Sequence, residues 1–239
     1  MSNIALIIAG GAGNRMGQDI PKQFIHIEGR PIIIQTMLCF QMHPDINVIA
    51  VVCLKGWETV LQSYANQFNI TKLKHIYPGG DTGMTSIHNG IYGLKKDGYN
   101  DEDLVLIHDS VRPLLSQEII SNNIATCKAY GYAITGIQCR EAILQSEDGF
   151  SSTTSIPRDT LIRTQTPQTF RLKNIIAVHE QAASLGISNS VASCTLIAEI
   201  GGREMHIVPG SEKNIKVTTP EDLEILKALM NVHKESWLK

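Results

Sequence analysis

Ile4-Ala5-Leu6-Ile7-Ile8-Ala9 runs straight into Gly10-Gly11-Ala12-Gly13-Asn14-Arg15-Met16-Gly17, an apolar strand that ends in a glycine-rich turn. Outward from it, short runs of strand-forming residues alternate with longer amphipathic segments: Pro31 to Phe40, Val48 to Leu54, Trp57 to Phe68, Lys74 to Tyr77, Thr85 to Lys95, Leu104 to His108 and Gln117 to Tyr130. That alternation is the pattern of an α/β sheet with helices on its faces. Val48-Ile49-Ala50-Val51-Val52 and Leu104-Val105-Leu106-Ile107 are apolar at every position. They predict central strands covered on both sides, and hence a mainly parallel sheet.

After the strand expected at Ala133 to Ile137 the rhythm changes. Cys139 to Ser155 is polar and turn-rich, with Glu147-Asp148-Gly149 between two short strand-forming runs, and predicts a projecting β-hairpin arm at about 138–157. Helical periodicity returns at Leu172 to Leu185 and Ser190 to Ile200, and a strand follows at Met205 to Val208. Pro220, with Glu221 and Asp222 behind it, opens a last helix. No internal repeat or low-complexity segment interrupts the chain, whose 239 residues, 43% of them hydrophobic, suit a single domain over 1–239.

Charge narrows the choice of partners. With 21 Lys+Arg against 23 Asp+Glu the net charge is -2, so no broad basic field gathers nucleic acid or anionic membranes, and any bound anion is held by a few local cations. The apolar runs fall far short of the roughly 18–20 residues that cross a bilayer. Met1-Ser2-Asn3 carries no positive side chain, and Gly10-Gly11 end the first apolar run too early for a signal peptide, so the expected location is the cytoplasm. The five cysteines include no C-x-x-C pair and the eight histidines no H-x-x-x-H spacing, which argues against a structural metal.

A glycine-rich turn at the carboxyl end of a first strand is where backbone amides reach phosphates. A dinucleotide fold wants G-x-G-x-x-G; here the third glycine comes one place late and Arg15 lies in the segment, and the P-loop pattern is absent as well. Arg15 inside the loop and Lys22 after the rigid Pro21 place two cations beside a bed of amides, which suits a triphosphate. The same two residues read equally as ordinary surface cations next to a tight turn.

Ala9-Gly10-Gly11-Ala12-Gly13-Asn14-Arg15-Met16-Gly17 followed by Pro21-Lys22-Gln23-Phe24 resembles the opening of the cytidylyltransferases that act on 2-C-methyl-D-erythritol 4-phosphate or D-ribitol 5-phosphate. Three further segments resemble that family in the same order: His108-Asp109-Ser110-Val111-Arg112-Pro113, Gln165-Thr166-Pro167-Gln168-Thr169-Phe170, and Asn214-Ile215-Lys216-Val217-Thr218-Thr219-Pro220-Glu221-Asp222-Leu223. The resemblance covers nearly the whole chain and implies a Rossmann-like nucleotidyltransferase sheet. It also implies a reaction in which a polyol phosphate attacks the α-phosphorus of CTP and expels pyrophosphate.

By that resemblance Arg15, Lys22 and Lys216 are the catalytic cations at the phosphates. Ala9, Gly10, Gly11, Gly13, Gly80, Asp81 and Ser86 hold the nucleotide, with the Gly79-Gly80 loop closing around cytosine and ribose. Asp109, Arg112, Arg158 and Thr166 face the acceptor, the arm completes a partner subunit's pocket in a homodimer, and Mg²⁺ is the cofactor. Asp109, ending an apolar strand, is its expected ligand, since Mg²⁺ takes one or two carboxylates plus phosphates. Taken alone, Asp109 also allows a helix N-cap and Arg112 either a contact to the acceptor or a simple ion pair with Asp109, while Arg158 reads as a loop ion pair and Gly79-Gly80 as an ordinary turn before a helix.

Three departures bear on the acceptor. Ala142 stands where a Thr is usual, Thr82-Gly83-Met84 replaces a stretch that usually carries an Arg, and Ser190-Val191-Ala192 replaces acidic residues. Ala9-Gly10-Gly11, Pro31-Ile32-Ile33-Ile34 and Val111 lean towards D-ribitol 5-phosphate, with 2-C-methyl-D-erythritol 4-phosphate second and another polyol or sugar phosphate third. The changes at Gly83 and Ala142 keep open a CTP-binding protein without turnover, whereas the glycine spacing disfavours a nicotinamide-dependent oxidoreductase.

Overall fold

The computed structural model describes residues 1–11 and 20–231. The strands are β1 (Asn3–Ala9), β2 (His26–Ile27), β3 (Arg30–Pro31), β4 (Val48–Cys53), β5 (Leu73–Pro78), β6 (Leu104–Asp109), β7 (Tyr132–Gln138), β8 (Ile143–Gln145), β9 (Thr154–Ile156), β10 (Ile162–Arg171) and β11 (His206–Pro209). The helices are α1 (Ile32–Gln41), α2 (Glu58–Gln67), α3 (Gly83–Lys96), α4 (Gln117–Tyr130), α5 (Leu172–Ser184), α6 (Ser193–Ile200) and α7 (Pro220–Asn231).

Seven strands form the main sheet in the order β11-β7-β10-β6-β1-β4-β5. Strand β1 pairs in parallel with β4 and β6, β4 with β5, and β11 with β7; β10 alone runs antiparallel, between β6 and β7. The mainly parallel sheet read from the sequence is therefore present, with one reversed strand inside it.

The apolar runs work as expected. Alternate residues of a strand face opposite sides, and Ala5 and Ile7 of β1 join a core with Ile33, Met37 and Phe40 of α1, while Ile4 and Leu6 join the opposite core with Ile91 and Leu94 of α3. Both faces are covered by helices, so no position from Ile4 to Ala9 needs a polar side chain. Helix α3 starts where the Thr82 hydroxyl accepts the Thr85 N–H at 3.1 Å, and α4 where the Ser116 hydroxyl accepts that of Ile119 at 3.3 Å. A third, smaller core of Ile27, Ile32, Val111, Val217 and Leu226 fastens α7 and the β2–β3 hairpin to the loop after β6.

Two elements differ from expectation. The segment Ile162–Arg171, whose Thr-Pro-Gln sequence carries no strand pattern, is a ten-residue interior strand. Its register against β7 shifts between Thr164 and Gln168, and Pro167 falls in that irregular stretch, the place where a strand tolerates a residue without an N–H. Helix α6 begins at Ser193, three residues later than Ser190, because Ala192 is extended and its N–H is taken by the Thr195 hydroxyl at 2.9 Å.

The hairpin arm is present as β8 paired antiparallel with β9. Its tip is organised by Asp148, whose carboxylate accepts the N–H groups of Phe150 and Ser151 at 2.9 and 2.8 Å and the hydroxyls of Ser146 and Ser151 at 3.0 and 2.8 Å.

Candidate active site

Strands β1, β4 and β6 end side by side, and a cleft of about 690 Å³ opens at their carboxyl edge, where open α/β sheets place ligands. Ala9, Gly10, Gly11, Lys22, Gly80, Asp81, Ser86, Asp109, Arg112, Thr166 and Lys216 all line it. Two residues expected in the site, Gly13 and Arg15, lie outside the described residues. Arg158 does not line this cleft: it sits at the root of the arm, exposed, where its Nη1 donates to the Arg140 carbonyl at 2.9 Å.

The two glycine loops meet at one end of the cleft. A Cβ on Gly79 would stand 2.9 Å from Gly10 Cα and 3.0 Å from the Cys53 carbonyl oxygen, and one on Gly10 would stand 2.7 Å from Ser86 Oγ. Only glycine lets the two main chains approach this closely. The Ser86 hydroxyl then accepts the Gly80 N–H at 3.0 Å and fixes the second loop on α3. Gln23 holds the first loop: its buried amide donates to the carbonyls of Ala9 and Gly11 at 2.9 and 3.0 Å.

The other end is built around Asp109. Lys216 Nζ lies 2.9 Å from Oδ1, and Arg112 Nε lies 2.8 Å from Oδ2. Arg112 is anchored in turn by donating Nη1 to the Asn214 carbonyl at 2.7 Å. Burial alone would raise the Asp109 pKa, but the charges of Lys216 and Arg112, with their hydrogen bonds, outweigh it and hold the carboxyl down at about 2. Asp109 is thus ionised throughout the neutral range, with both oxygens engaged. The helix N-cap alternative does not apply, because Asp109 is the last residue of β6 and no helix follows until α4.

Beneath Asp109 runs a buried polar chain. The Asp109 N–H donates to Thr166 Oγ1 at 3.1 Å, and that hydroxyl lies 2.9 Å from His108 Nδ1, while His108 Nε2 lies 3.2 Å from the Arg112 carbonyl. A carbonyl only accepts, so the network assigns the ring hydrogen to Nε2 and makes Nδ1 the acceptor of the Thr166 hydroxyl. Burial pushes His108 down to about 4, which keeps this ring neutral. Asn214 closes the arrangement by donating to the Thr166 carbonyl at 2.8 Å and to Gln165 Oε1 at 3.2 Å.

Gln23, His108, Gln165, Gln168 and Asn214 carry no signal of their own in the sequence. Gln23, His108, Gln165, Gln168 and Asn214 lie inside the quoted motifs, and each acts by fixing a neighbour; nothing in local spacing separates such a role from an exposed polar side chain. Among the described residues no group of three or more His, Cys, Asp or Glu could hold a metal ion. No helix of the described residues is long and apolar enough to cross a membrane.

The family model of IspD, 2-C-methyl-D-erythritol 4-phosphate cytidylyltransferase, matches residues 3–232. The chain is 36% identical over 228 residues to the ribitol-5-phosphate cytidylyltransferase of Lacticaseibacillus paracasei, covering 95% of this chain and 97% of the relative. It is 36% identical over 222 residues to the 2-C-methyl-D-erythritol 4-phosphate cytidylyltransferase of Clostridium botulinum, covering 92% and 94%. The crystal structure of the Francisella tularensis 2-C-methyl-D-erythritol 4-phosphate cytidylyltransferase superposes with a TM-score of 0.77 at 26% identity, over 95% of this chain and 99% of that one. A shared sheet, a cleft assembled from all four motifs, and similarity along the full length lead to one conclusion: the chain belongs to the IspD cytidylyltransferase family and is a nucleotidyltransferase.

Proposed function

We propose that the chain transfers a cytidylyl group from CTP to D-ribitol 5-phosphate. An oxygen of the acceptor phosphate forms a bond to the CTP α-phosphorus, the bond from that phosphorus to the pyrophosphate bridging oxygen breaks, and pyrophosphate departs with the electron pair. Such a reaction asks the protein for positioning and charge stabilisation and not for a nucleophile of its own. The observation that carries the reading is the Lys216–Asp109–Arg112 arrangement, which holds two cations in fixed positions on the wall of the cleft that the Gly10 and Gly80 loops also line.

In this reading the nucleotide lies against Gly10, Gly11, Gly80, Asp81 and Ser86. Lys22 and Lys216, joined by Arg15, stabilise charge on the phosphates, while Asp109, Arg112 and Thr166 orient the acceptor. Mg²⁺ would neutralise triphosphate charge when bound. An ion carried in chiefly by the phosphates fits the residues present: Asp109 is an ionised carboxylate on the cleft wall and its candidate protein ligand, which would exchange the Lys216 or Arg112 contact for the ion.

Overall identity does not separate the acceptors, since relatives of both names stand at 36%. The opening Ala9-Gly10-Gly11, the Pro31-Ile32-Ile33-Ile34 run and Val111 support ribitol phosphate; methylerythritol phosphate is the second reading, supported by the relatives that bear its name. The arm supports a homodimer: Arg158 at its root lies away from its own cleft, and Phe150 and Leu144 are 98% and 65% exposed.

Pyrophosphate release with CTP and Mg²⁺, comparing D-ribitol 5-phosphate with 2-C-methyl-D-erythritol 4-phosphate at matched concentrations, tests the reading. Preference for ribitol phosphate is expected. Preference for methylerythritol phosphate would replace the acceptor, and CTP binding without turnover on either would point to a protein that binds and does not react.

A further inference from the structure

Val191, Ala192 and Ser193 form one wall of the cleft, and behind that wall lies a second cavity of about 10 Å³. Ile87, Ala192 and Ser193 line both spaces, so the partition between them is a single layer of residues. His179 of α5 also lines the small cavity. His179 and Ser193 are only 4% and 3% exposed, and His179 Nε2 and Ser193 Oγ are both buried with no hydrogen-bond partner among the described residues. Two orphaned polar atoms on one small cavity call for a common explanation, because buried polar groups are almost always satisfied.

A cavity of this size admits one water, which needs about 10–15 Å³ and some two to four polar partners. Burial first, and then the neighbouring His88 ring, push His179 down to about 4, so at neutral pH the ring is uncharged. The Ser193 hydroxyl both donates and accepts, so either tautomer of His179 can be matched through one water.

We propose that a single buried water bridges His179 Nε2 to Ser193 Oγ, and that through it His179 and Ser193 act as positioning residues for the Ala192 wall of the cleft. The remaining ties of this loop run to other elements. Ser190 Oγ bonds Thr195 Oγ1 at 2.8 Å and Glu199 Oε1 at 3.0 Å, both on α6, and the Cys194 N–H donates to Gln168 Oε1 of β10 at 3.0 Å. Apolar packing already joins α6 to α5, where Leu196 and Ile197 share a core with Val178 and Ala182, and the water adds a polar link at the Ala192 end. Val191 is 95% exposed, so packing holds the wall only through Ala192 and Cys194, and polar links set its precise place.

The proposal rests on the cleft being the substrate pocket, and its test has one arm that does not. A crystal structure of the unliganded protein is expected to show one water within about 3 Å of both atoms; an empty cavity, or a protein group pairing either atom, overturns the bridge whatever the enzyme's activity. In steady-state assays His179→Leu and Ser193→Ala are each expected to raise the KM of CTP or of the acceptor about fivefold with kcat within twofold, and the double variant to be no worse than the worse single. His179→Gln, whose amide nitrogen reaches the Nε2 position, is expected to restore KM, and it carries the test with Ser193→Ala should His179→Leu fail to fold. Unchanged KM values, or effects of the two substitutions that simply add, would overturn the positioning role.

Discussion

Lys216 and Asp109, 107 residues apart in sequence, meet at 2.9 Å on the wall of the cleft. The lysine comes from the loop before α7 and the aspartate from the end of β6, and Arg112 grips the other carboxylate oxygen. Asp109 therefore has two jobs in one place: it sets where the lysine ammonium stands, and it keeps Arg112 directed into the cleft. Without the carboxylate the two cations would repel each other across the same small space.

Lys216→Met should lower kcat/KM by about 10²–10³, equivalent to roughly 3–4 kcal/mol of transition-state stabilisation, with a smaller change in CTP affinity. Asp109→Asn should cost a similar factor by misplacing both cations. Pyrophosphate-release kinetics and calorimetry with CTP measure the two effects separately, and turnover within twofold of the parent would remove Lys216 from the chemistry.

Acid should weaken the fold in two stages. His108 and His179 are held neutral near 4 by burial, below the free value of 6.5, so the unfolded chain binds more protons between those limits and stability falls as pH drops from about 6.5 towards 4. Asp109, held at about 2 against a free value of 3.8, contributes stability that is complete above about 3.8 and is lost as pH falls towards 2. Urea unfolding from pH 7.5 to 4 should show the first stage, and His179→Leu should flatten part of its slope. A midpoint that stays level over this range would show that neither histidine is held neutral.

Gly79→Ala should separate the two nucleotide loops, because its methyl group would meet main-chain atoms of Gly10 and Cys53 at 2.9 and 3.0 Å. Overpacking of this kind costs about 1–3 kcal/mol, and CTP affinity should fall by an order of magnitude or more. Thermal melts and calorimetry read the two losses. Gly11→Ala, with no described atom within 4 Å of its Cβ position, is the control for the thermal melt alone and should leave the melting temperature nearly unchanged.

Gln23→Met keeps the volume of the side chain and removes the amide that ties Ala9 to Gly11. The Gly11 carbonyl loses a partner and the loop its anchor, so CTP should bind several-fold more weakly, with a stability loss of about 1 kcal/mol. The Ala9 carbonyl keeps the Leu54 N–H at 3.1 Å, which limits the structural damage. Unaltered CTP affinity would show that the loop holds its shape without Gln23.

Phe150→Asp and Leu144→Asp together should shift sedimentation from dimer to monomer at micromolar concentration if the arm docks on a second copy. The pair is exposed in the single chain, so its own fold should keep its melting temperature within about 2 °C. A dimer that survives the double substitution would place the contact elsewhere.

The sequence made the sheet legible through runs such as Val48 to Val52, because a strand buried on both faces has no polar position to disguise it. It hid β10, since Gln165, Thr166 and Gln168 are polar while lying inside the sheet, and Pro167 reads as a break. Gln165 and Gln168 can be buried because each finds a hydrogen-bond partner, Asn214 for Gln165 and Cys194 for Gln168, and those partners are remote in the chain. The same reason separates the visible part of the site from the hidden part. Lys22, Asp109 and Lys216 carry charge and stand out, whereas Gln23, His108 and His179 act through contacts that only the folded chain brings together.

The placing of β10 between β6 and β7 also sets an order of assembly. Both sheet neighbours of β7, β10 and β11, lie after it in the chain, so β7 leaves the ribosome with no strand to pair with. At about 5–20 residues per second, the residues of the arm and of β10 take seconds to follow. Through that interval α4 covers Ala133 on one face, while Ile134 on the other waits for Phe170 of β10 and the first turns of α5. Lys216 arrives later still, so the Lys216–Asp109 pair forms only after β10, α5, α6 and β11 have all been made.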